Sequence, residues 1–197
     1  QAAPGWMAGA WTEAGLKALA LPQESPEAAL EKLAAKLKAR LSLLPAPAPA
    51  VGPAGTLVEE IEHYFSGVKV SFQTPIDWSG YTSFQRRVLE MTRKIPYGET
   101  ITYGQLAWEA GSPQGARAVG GVMRANRTPL VIPCHRVLAA GGALGGFSGG
   151  IDFKKYLLTL ERHRGTQGDG SFVSSKTTQK NRPPVSLLPQ QRAWGKE

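Results

Sequence analysis

Residues 45–55 read PAPAPAVGPAG, a stretch that regular helix cannot cross, because each proline removes a backbone donor and locks φ. It interrupts the chain between two helical patterns. Before it, SPEAALEKLAAKLKARLSLL (25–44) places Ser25 as an N-cap and Pro26 at the first helical position, with Ala29, Leu30, Leu33, Leu37 and Leu41 at helical spacing. After it, TLVEEIEHYFSG (56–67) predicts a second helix stopped by Gly67. The connector suits either a link between domains or a surface loop inside one, and the pattern leaves both open.

The flanking segments supply the remaining elements. WMAGAWTEAGLKALAL (6–21) predicts two strands around a Thr-Glu-Ala-Gly turn, with Gly15 free to take positive φ, and VKVSF (68–72) alternates as a strand would. TSFQRRVLEMTRKI, YGQLAWEAG and PQGARAVGGVMRAN predict three helices, the last with Pro113 near its first turn. DFKKYLLTLERHR predicts a final helix closing on basic residues, which suit a helix C-terminus. The expected fold is a two-domain α/β (α+β) chain. Residues 1–75 form a small α/β domain with an antiparallel sheet, and residues 76–164 form a mainly helical domain with a helix-turn-helix. Residues 165–197, polar and without apolar periodicity, are expected to be a disordered basic tail.

Composition excludes several classes. One cysteine among 197 residues cannot form an internal disulfide. No apolar run approaches the ~20 residues that cross a bilayer. An intracellular location away from membranes is expected: the cytoplasm of a prokaryote or the nucleus of a eukaryote. The net charge of +8 is uneven, with +6 of it in residues 111–164, which favours a polyanionic partner. Three histidines and a lone cysteine, scattered apart from one adjacent pair, do not make a zinc site, and no phosphate-binding loop is present, so neither metal nor cofactor is expected.

Two stretches can carry chemistry. In residues 103–126, Ala107 and Gly111 have the spacing of a helix-turn-helix, and the following helix presents Arg117 and Arg124, with Arg127 just beyond. That helix is rich in small residues, Ala116, Ala118, Gly120, Gly121 and Ala125, and each interior glycine lowers helix propensity by about 1 kcal/mol. Such a sacrifice fits close approach by another helix or by a DNA groove. The second stretch is IPCHRV (132–137). A thiol attacks as thiolate, and a nearby base or cation must make it one. His135 and Arg136 follow Cys134 directly, but neighbours on an extended strand point to opposite faces, so a turn after Pro133 or a bridging water is required. Glu161 on the last helix is a candidate to orient the imidazole. Taken alone, the pair also fits a buried cysteine beside a surface histidine.

Together these residues resemble the O6-alkylguanine-DNA alkyltransferase family, also called methylated-DNA–protein-cysteine methyltransferases. The resemblance runs from about Thr82 to Glu161 and rests on PYGETITYGQLA, ARAVGGVMRAN, IPCHRV and GFSGG. It implies DNA repair in a single turnover: Cys134 takes the alkyl group from O6-alkylguanine, and from O4-alkylthymine, in double-stranded DNA whose damaged nucleotide has been flipped out. It further implies that His135 removes the thiol proton through a water and that Glu161 orients His135. The Tyr103 hydroxyl and the Ser148 backbone N–H would lie near the base, and the carbonyls of Cys134 and Val137 would accept from its exocyclic amine. Asn126 would tie the recognition helix to the cysteine loop. The helix carrying Ala116, Ala118, Gly120, Gly121 and Arg124 would enter the minor groove, with Arg117 filling the place of the flipped base. A monomer is implied, with side-by-side binding on DNA left open. The alternatives are a DNA-binding lesion sensor or regulator without chemistry, and a cysteine hydrolase.

Overall fold

The structure, a computed structural model, describes residues 5–38 and 53–165. It opens on an antiparallel hairpin, β1 (Trp6–Thr12) and β2 (Gly15–Gln23), as expected from sequence. Strand alternation splits the residues of β2 cleanly: Ala18 and Ala20 face one side, Leu19 and Leu21 the other. The alanine face, with Ala8 and Ala10 from β1, is covered by α1 (Pro26–Leu37) through Ala29 and Leu33, where small side chains let the helix lie close. The leucine face enters the main core with α2 (Pro53–Phe65). Ser25 caps α1 as predicted, its side chain accepting from the Ala28 N–H at 3.1 Å. The helix ends at Leu37, with Lys38 in the left-handed region; Leu41 and the connector up to residue 52 lie outside the described residues. The last three connector residues, Pro53 to Gly55, belong to α2, because a proline in the first turn of a helix gives up no bond.

Gly15 has φ +129°, and a Cβ there would stand 2.5 Å from the Pro75 carbonyl oxygen. The close approach is used. Leu16 N donates to Pro75 O at 2.8 Å, and Asp77 N donates to Leu16 O at 3.0 Å. VKVSF is not a strand. Its alternation continues (Phe72, Thr74 and Ile76 inward, Ser71, Gln73 and Pro75 outward), but side chains satisfy the backbone instead of a neighbouring strand. Glu60 accepts from Gln73 N at 2.9 Å, and Arg93 donates to the Phe72 and Thr74 carbonyls, each at 2.9 Å.

The mainly helical half begins with α3 (Ser83–Arg93), opened by a Thr82–Gln85 capping box. A second capping box, Thr102–Gln105, opens α4 (Tyr103–Glu109), and α5 (Ala116–Arg124) follows. Helices α3 to α5 enclose Val88, Leu89, Leu106, Ala107, Val119 and Val122. Ala107 is fully buried, and Gly111 takes φ +75° to turn the chain between α4 and α5. Pro113 lies before α5 rather than in its first turn: the chain spends residues 113–115 on a turn closed by Gly115 N donating to Ser112 O at 2.7 Å.

Two short strands, β3 (Ile101–Thr102) and β4 (Val137–Leu138), pair in parallel. α6 (Ile151–Gly165) completes the described fold, and residues 166–197 lie outside it. The main core draws Met7, Leu16, Leu19, Leu57, Ile61, Tyr64 and Phe65 from the first half, and Leu130, Val131 and Leu157 from the second. Among the described residues no helix is long and apolar enough to cross a membrane.

Candidate active site

Between α5 and β4 the chain is held by unusual local bonds. Asn126, buried just past α5, donates from Nδ2 to Ile132 O at 3.0 Å and accepts at Oδ1 from Thr128 N at 3.0 Å. Leu130, also buried, sits at φ +73°, a left-handed conformation that costs a residue with a Cβ about 1–2 kcal/mol. Past the turn at Leu130 and Val131, Cys134–Arg136 form one 3₁₀ turn, closed by Arg136 N donating to Pro133 O at 2.9 Å. This is the turn that adjacent use of Cys134 and His135 requires. All three side chains are buried, Cys134 at 4% exposure and His135 at 0%.

His135 meets Glu161 from α6, the two residues 26 apart in sequence. Nε2 lies 2.8 Å from Glu161 Oε1, while Nδ1, also buried, has no hydrogen-bond partner among the described residues. Arg136 grips the same carboxylate, Nε to Oε2 and Nη2 to Oε1, both at 2.9 Å, and sends Nη1 to the Ile95 carbonyl at 2.6 Å. The Gly98 N–H adds a bond to Oε2 at 3.0 Å, and the Tyr64 hydroxyl adds one to Oε1 at 2.7 Å. Burial by itself would raise the Glu161 pKa, yet the hydrogen bonds from His135 and Arg136 and the positive charge of Arg136 carry it down to about 2. His135 is pushed below its ordinary value by burial, against the pull of Glu161, so a neutral imidazole is the resting form.

The thiol rests protonated. Burial raises the Cys134 pKa; a hydrogen bond with Asn126 and the charges of Lys36 and Lys154 oppose the rise. Arg136, expected from sequence to supply the nearby charge, is committed to Glu161 instead. The cations acting on the sulfur are Lys154, whose Nζ donates to the Val137 carbonyl at 2.7 Å and to the Leu144 carbonyl, and Lys36 from α1, lowered to about 8 by burial.

Tyr103 opens α4, and because β3 pairs with β4 its helix start is fixed beside the cysteine turn. Its hydroxyl is raised above the ordinary value by burial and by Cys134. Gly145 passes over it so closely that a Cβ would stand 3.0 Å from Tyr103 Oη. Ser148 is exposed, and its neighbours are pinned: the Phe147 ring packs edge-on to His135 at 6.4 Å, and a Cβ on Gly149 would meet Leu21 at 2.7 Å.

Helix α5 has two contrasting faces. Val119, Val122 and Met123 are buried, whereas Arg117, Ala118, Gly121 and Arg124 are exposed, and Ala116 and Gly120 are half-buried. A Cβ built on Gly120 or Gly121 meets nothing within 4 Å. No helix among the described residues packs against these glycines. Arg127 does not join this face. It folds back, 4.0 Å over the Tyr81 ring, with Nη2 donating to Ser79 O at 2.8 Å.

Cys134, His135, Glu161, Asn126, Tyr103 and Val137 thus converge on one turn, while Arg117 and Arg124 stand on a separate exposed face. Sequence reasoning missed Tyr64, Lys36, Lys154 and the buried role of Arg136. Only the placement of Lys154 seven residues before Glu161, two helical turns along the same face, carried a signal.

Residues 83–163 match the family model described as 6-O-methylguanine DNA methyltransferase, DNA binding domain. A methylated-DNA–protein-cysteine methyltransferase of Mycolicibacterium paratuberculosis is 47% identical over 105 residues, 53% of this chain and 63% of that protein. One from Mycobacterium leprae is 41% identical over 116 residues, 59% of this chain and 70% of that protein. The crystal structure of Mycobacterium tuberculosis OGT in complex with DNA superposes with a TM-score of 0.60 at 30% identity, covering 81% of this chain and 94% of the other.

Proposed function

Because the chain belongs to the methylated-DNA–protein-cysteine methyltransferase family, we propose that it repairs O6-alkylguanine in DNA by one irreversible transfer of the alkyl group to Cys134. The observation that carries the reading is the sole thiol on a turn shared with a neutral, carboxylate-held histidine. In the transfer, a new S–C bond forms as the C–O6 bond breaks. The thiol proton passes through a water to His135 Nδ1, the ring atom without a hydrogen-bond partner among the described residues. Glu161 stabilises the imidazolium that results. Guanine leaves poorly as an anion, and Tyr103, kept protonated by its raised pKa, donates a hydrogen bond to it. The Ser148 N–H donates toward O6. The carbonyls of Cys134 and Val137 each hold one protein bond, from Val137 N and Lys154, and each keeps a lone pair for the exocyclic amine.

The base reaches the sulfur by flipping out of the duplex. The exposed face of α5 enters the minor groove, where Ala116, Ala118, Gly120 and Gly121 allow close approach to the backbone, Arg124 meets phosphate, and Arg117 takes the vacated place in the stack. Open space outside Gly120 and Gly121 supports this role. Asn126 passes the position of α5 to the cysteine turn through its bond to Ile132 O. Residues 76–164 form the DNA-binding and active unit, residues 1–75 its support, and the protein binds as a monomer.

The test is intact-mass measurement after incubation with a duplex containing O6-methylguanine. The expected result is a gain of one methyl per chain that is lost in Cys134→Ala. Tight binding to the lesion without an adduct would instead establish a non-catalytic sensor.

A further inference from the structure

One buried hydroxyl has no part in the transfer described above. Tyr64 lies on α2, fully shielded from solvent, 97 residues from Glu161, yet its Oη donates to Glu161 Oε1 at 2.7 Å and stands 3.4 Å from His135 Nε2. Its ring is fixed on several sides, edge-on to Phe65 at 5.4 Å and to Tyr97 at 5.9 Å. We propose that Tyr64 is a positioning residue of the transfer, one that occupies Glu161 Oε1 beside His135 and so keeps the imidazole neutral and free to accept the thiol proton. The inference rests on His135 acting as the base.

A phenol has one proton to give. Glu161 is held ionised by Arg136, so at 2.7 Å that proton points to the carboxylate and the phenolic lone pairs are left for other donors. Nε2 of His135 therefore faces two acceptors, Glu161 Oε1 and Tyr64 Oη, and no donor. It must carry the hydrogen, which leaves Nδ1 bare and able to accept. Removing the hydroxyl has two consequences. Nε2 keeps its short bond to Glu161 and loses only the longer contact at 3.4 Å, whereas Oε1 loses a donor at 2.7 Å; the second effect is the larger, so the carboxylate holds an imidazolium more strongly and His135 stays protonated to higher pH. The other titratable or charged groups around the ring are Glu161 and Lys154 of α6, Arg136 and Cys134 of the same turn, and Tyr97 beyond the Tyr64 ring. Tyr64→Phe alters none of these.

The experiment measures the single-turnover rate of methyl transfer from an O6-methylguanine duplex between pH 5 and 9, read by intact mass, for the full chain and Tyr64→Phe. The full chain is expected to show a loss of rate on the acid side. In Tyr64→Phe that limb should move upward by on the order of half a pH unit, with the rates converging to within about twofold at high pH. A packing role alone would lower the rate equally at every pH. An acid limb that stays in place in Tyr64→Phe removes the Tyr64 role and leaves the base intact. A flat profile in the full chain removes the base, and Tyr64 with it. A second measurement needs no variant: the ¹⁵N spectrum of the His135 ring in the unsubstituted protein must show Nε2 protonated and Nδ1 bare, and the opposite tautomer overturns the proposal.

Discussion

At the scale of single residues, Glu161 is the most heavily used carboxylate among the described residues. It accepts from Tyr64, His135, Gly98 and twice from Arg136 while only 1% exposed. A buried carboxylate with that many donors is costly to neutralise, because Arg136 would be left charged and unpaired. Glu161→Gln is therefore expected to destabilise the fold by about 3–5 kcal/mol, read from urea unfolding. The same change should slow methyl transfer at least about tenfold, since the imidazolium loses its counter-charge. Unchanged stability would mean that Arg136 finds another partner. Cys134, His135 and Glu161 were legible in the sequence because the first two are adjacent and the third falls on a helix whose pattern is plain. Tyr64 was not. Its contact with Glu161 spans 97 residues and two unrelated helices, and nothing in either local pattern announces it.

At the scale of elements, α5 is a helix whose weak points face outward. Glycine in a helix interior costs roughly 0.5–1 kcal/mol relative to alanine, and here the missing methyls leave no internal gap. Gly120→Ala and Gly121→Ala should each raise thermal stability by about that amount, while weakening binding to duplex DNA in a fluorescence titration. A variant that gains stability and keeps its DNA affinity would show that α5 is not the face that approaches the backbone. Helix α1 was readable because its cap is a local device, written within four residues, and α3 and α4 because their apolar pattern is equally local. The extended run from Val68 to Phe72 shows the opposite case. Its alternation holds from Val70 on, while Val68 is exposed and bonds back to the end of α2; a ladder also needs a neighbouring strand, and the sequence pattern of one strand does not say whether its neighbour exists. The pair β3–β4, two residues each, is too short for any period to register, although it sets Tyr103 beside the cysteine turn.

At the scale of the whole molecule, two carboxylates join the parts. Glu161 links α2, the cysteine turn and α6. Asp77 holds the hairpin to the chain after α2, accepting from Thr12 Oγ1 at 2.8 Å and Ser79 N at 2.7 Å beside Lys17. Burial would raise the Asp77 pKa, but these bonds hold it at about 2. Both groups are more acidic folded than unfolded. Their contribution is present above the unfolded carboxylate range and drains as pH falls from about 4 toward 2. His135, buried neutral, begins the loss earlier, as pH drops below about 6.5. The urea midpoint should thus decline gently below pH 6.5 and steeply below pH 4. A midpoint constant from pH 7 to pH 3 would contradict these assignments.

The hairpin also donates Leu19 N to Arg127 O at 2.8 Å, just past the end of α5, and its leucines share a core with Leu130 and Leu157. The two halves are consequently not severable. A fragment cut free at residue 76 would bare one side of its own core, strand the Arg127 carbonyl just past α5, and strip Glu161 of the tyrosine that reaches it from α2. The side chains of the candidate site lie between Tyr103 and Glu161, but the first third of the chain sets how firmly they are held.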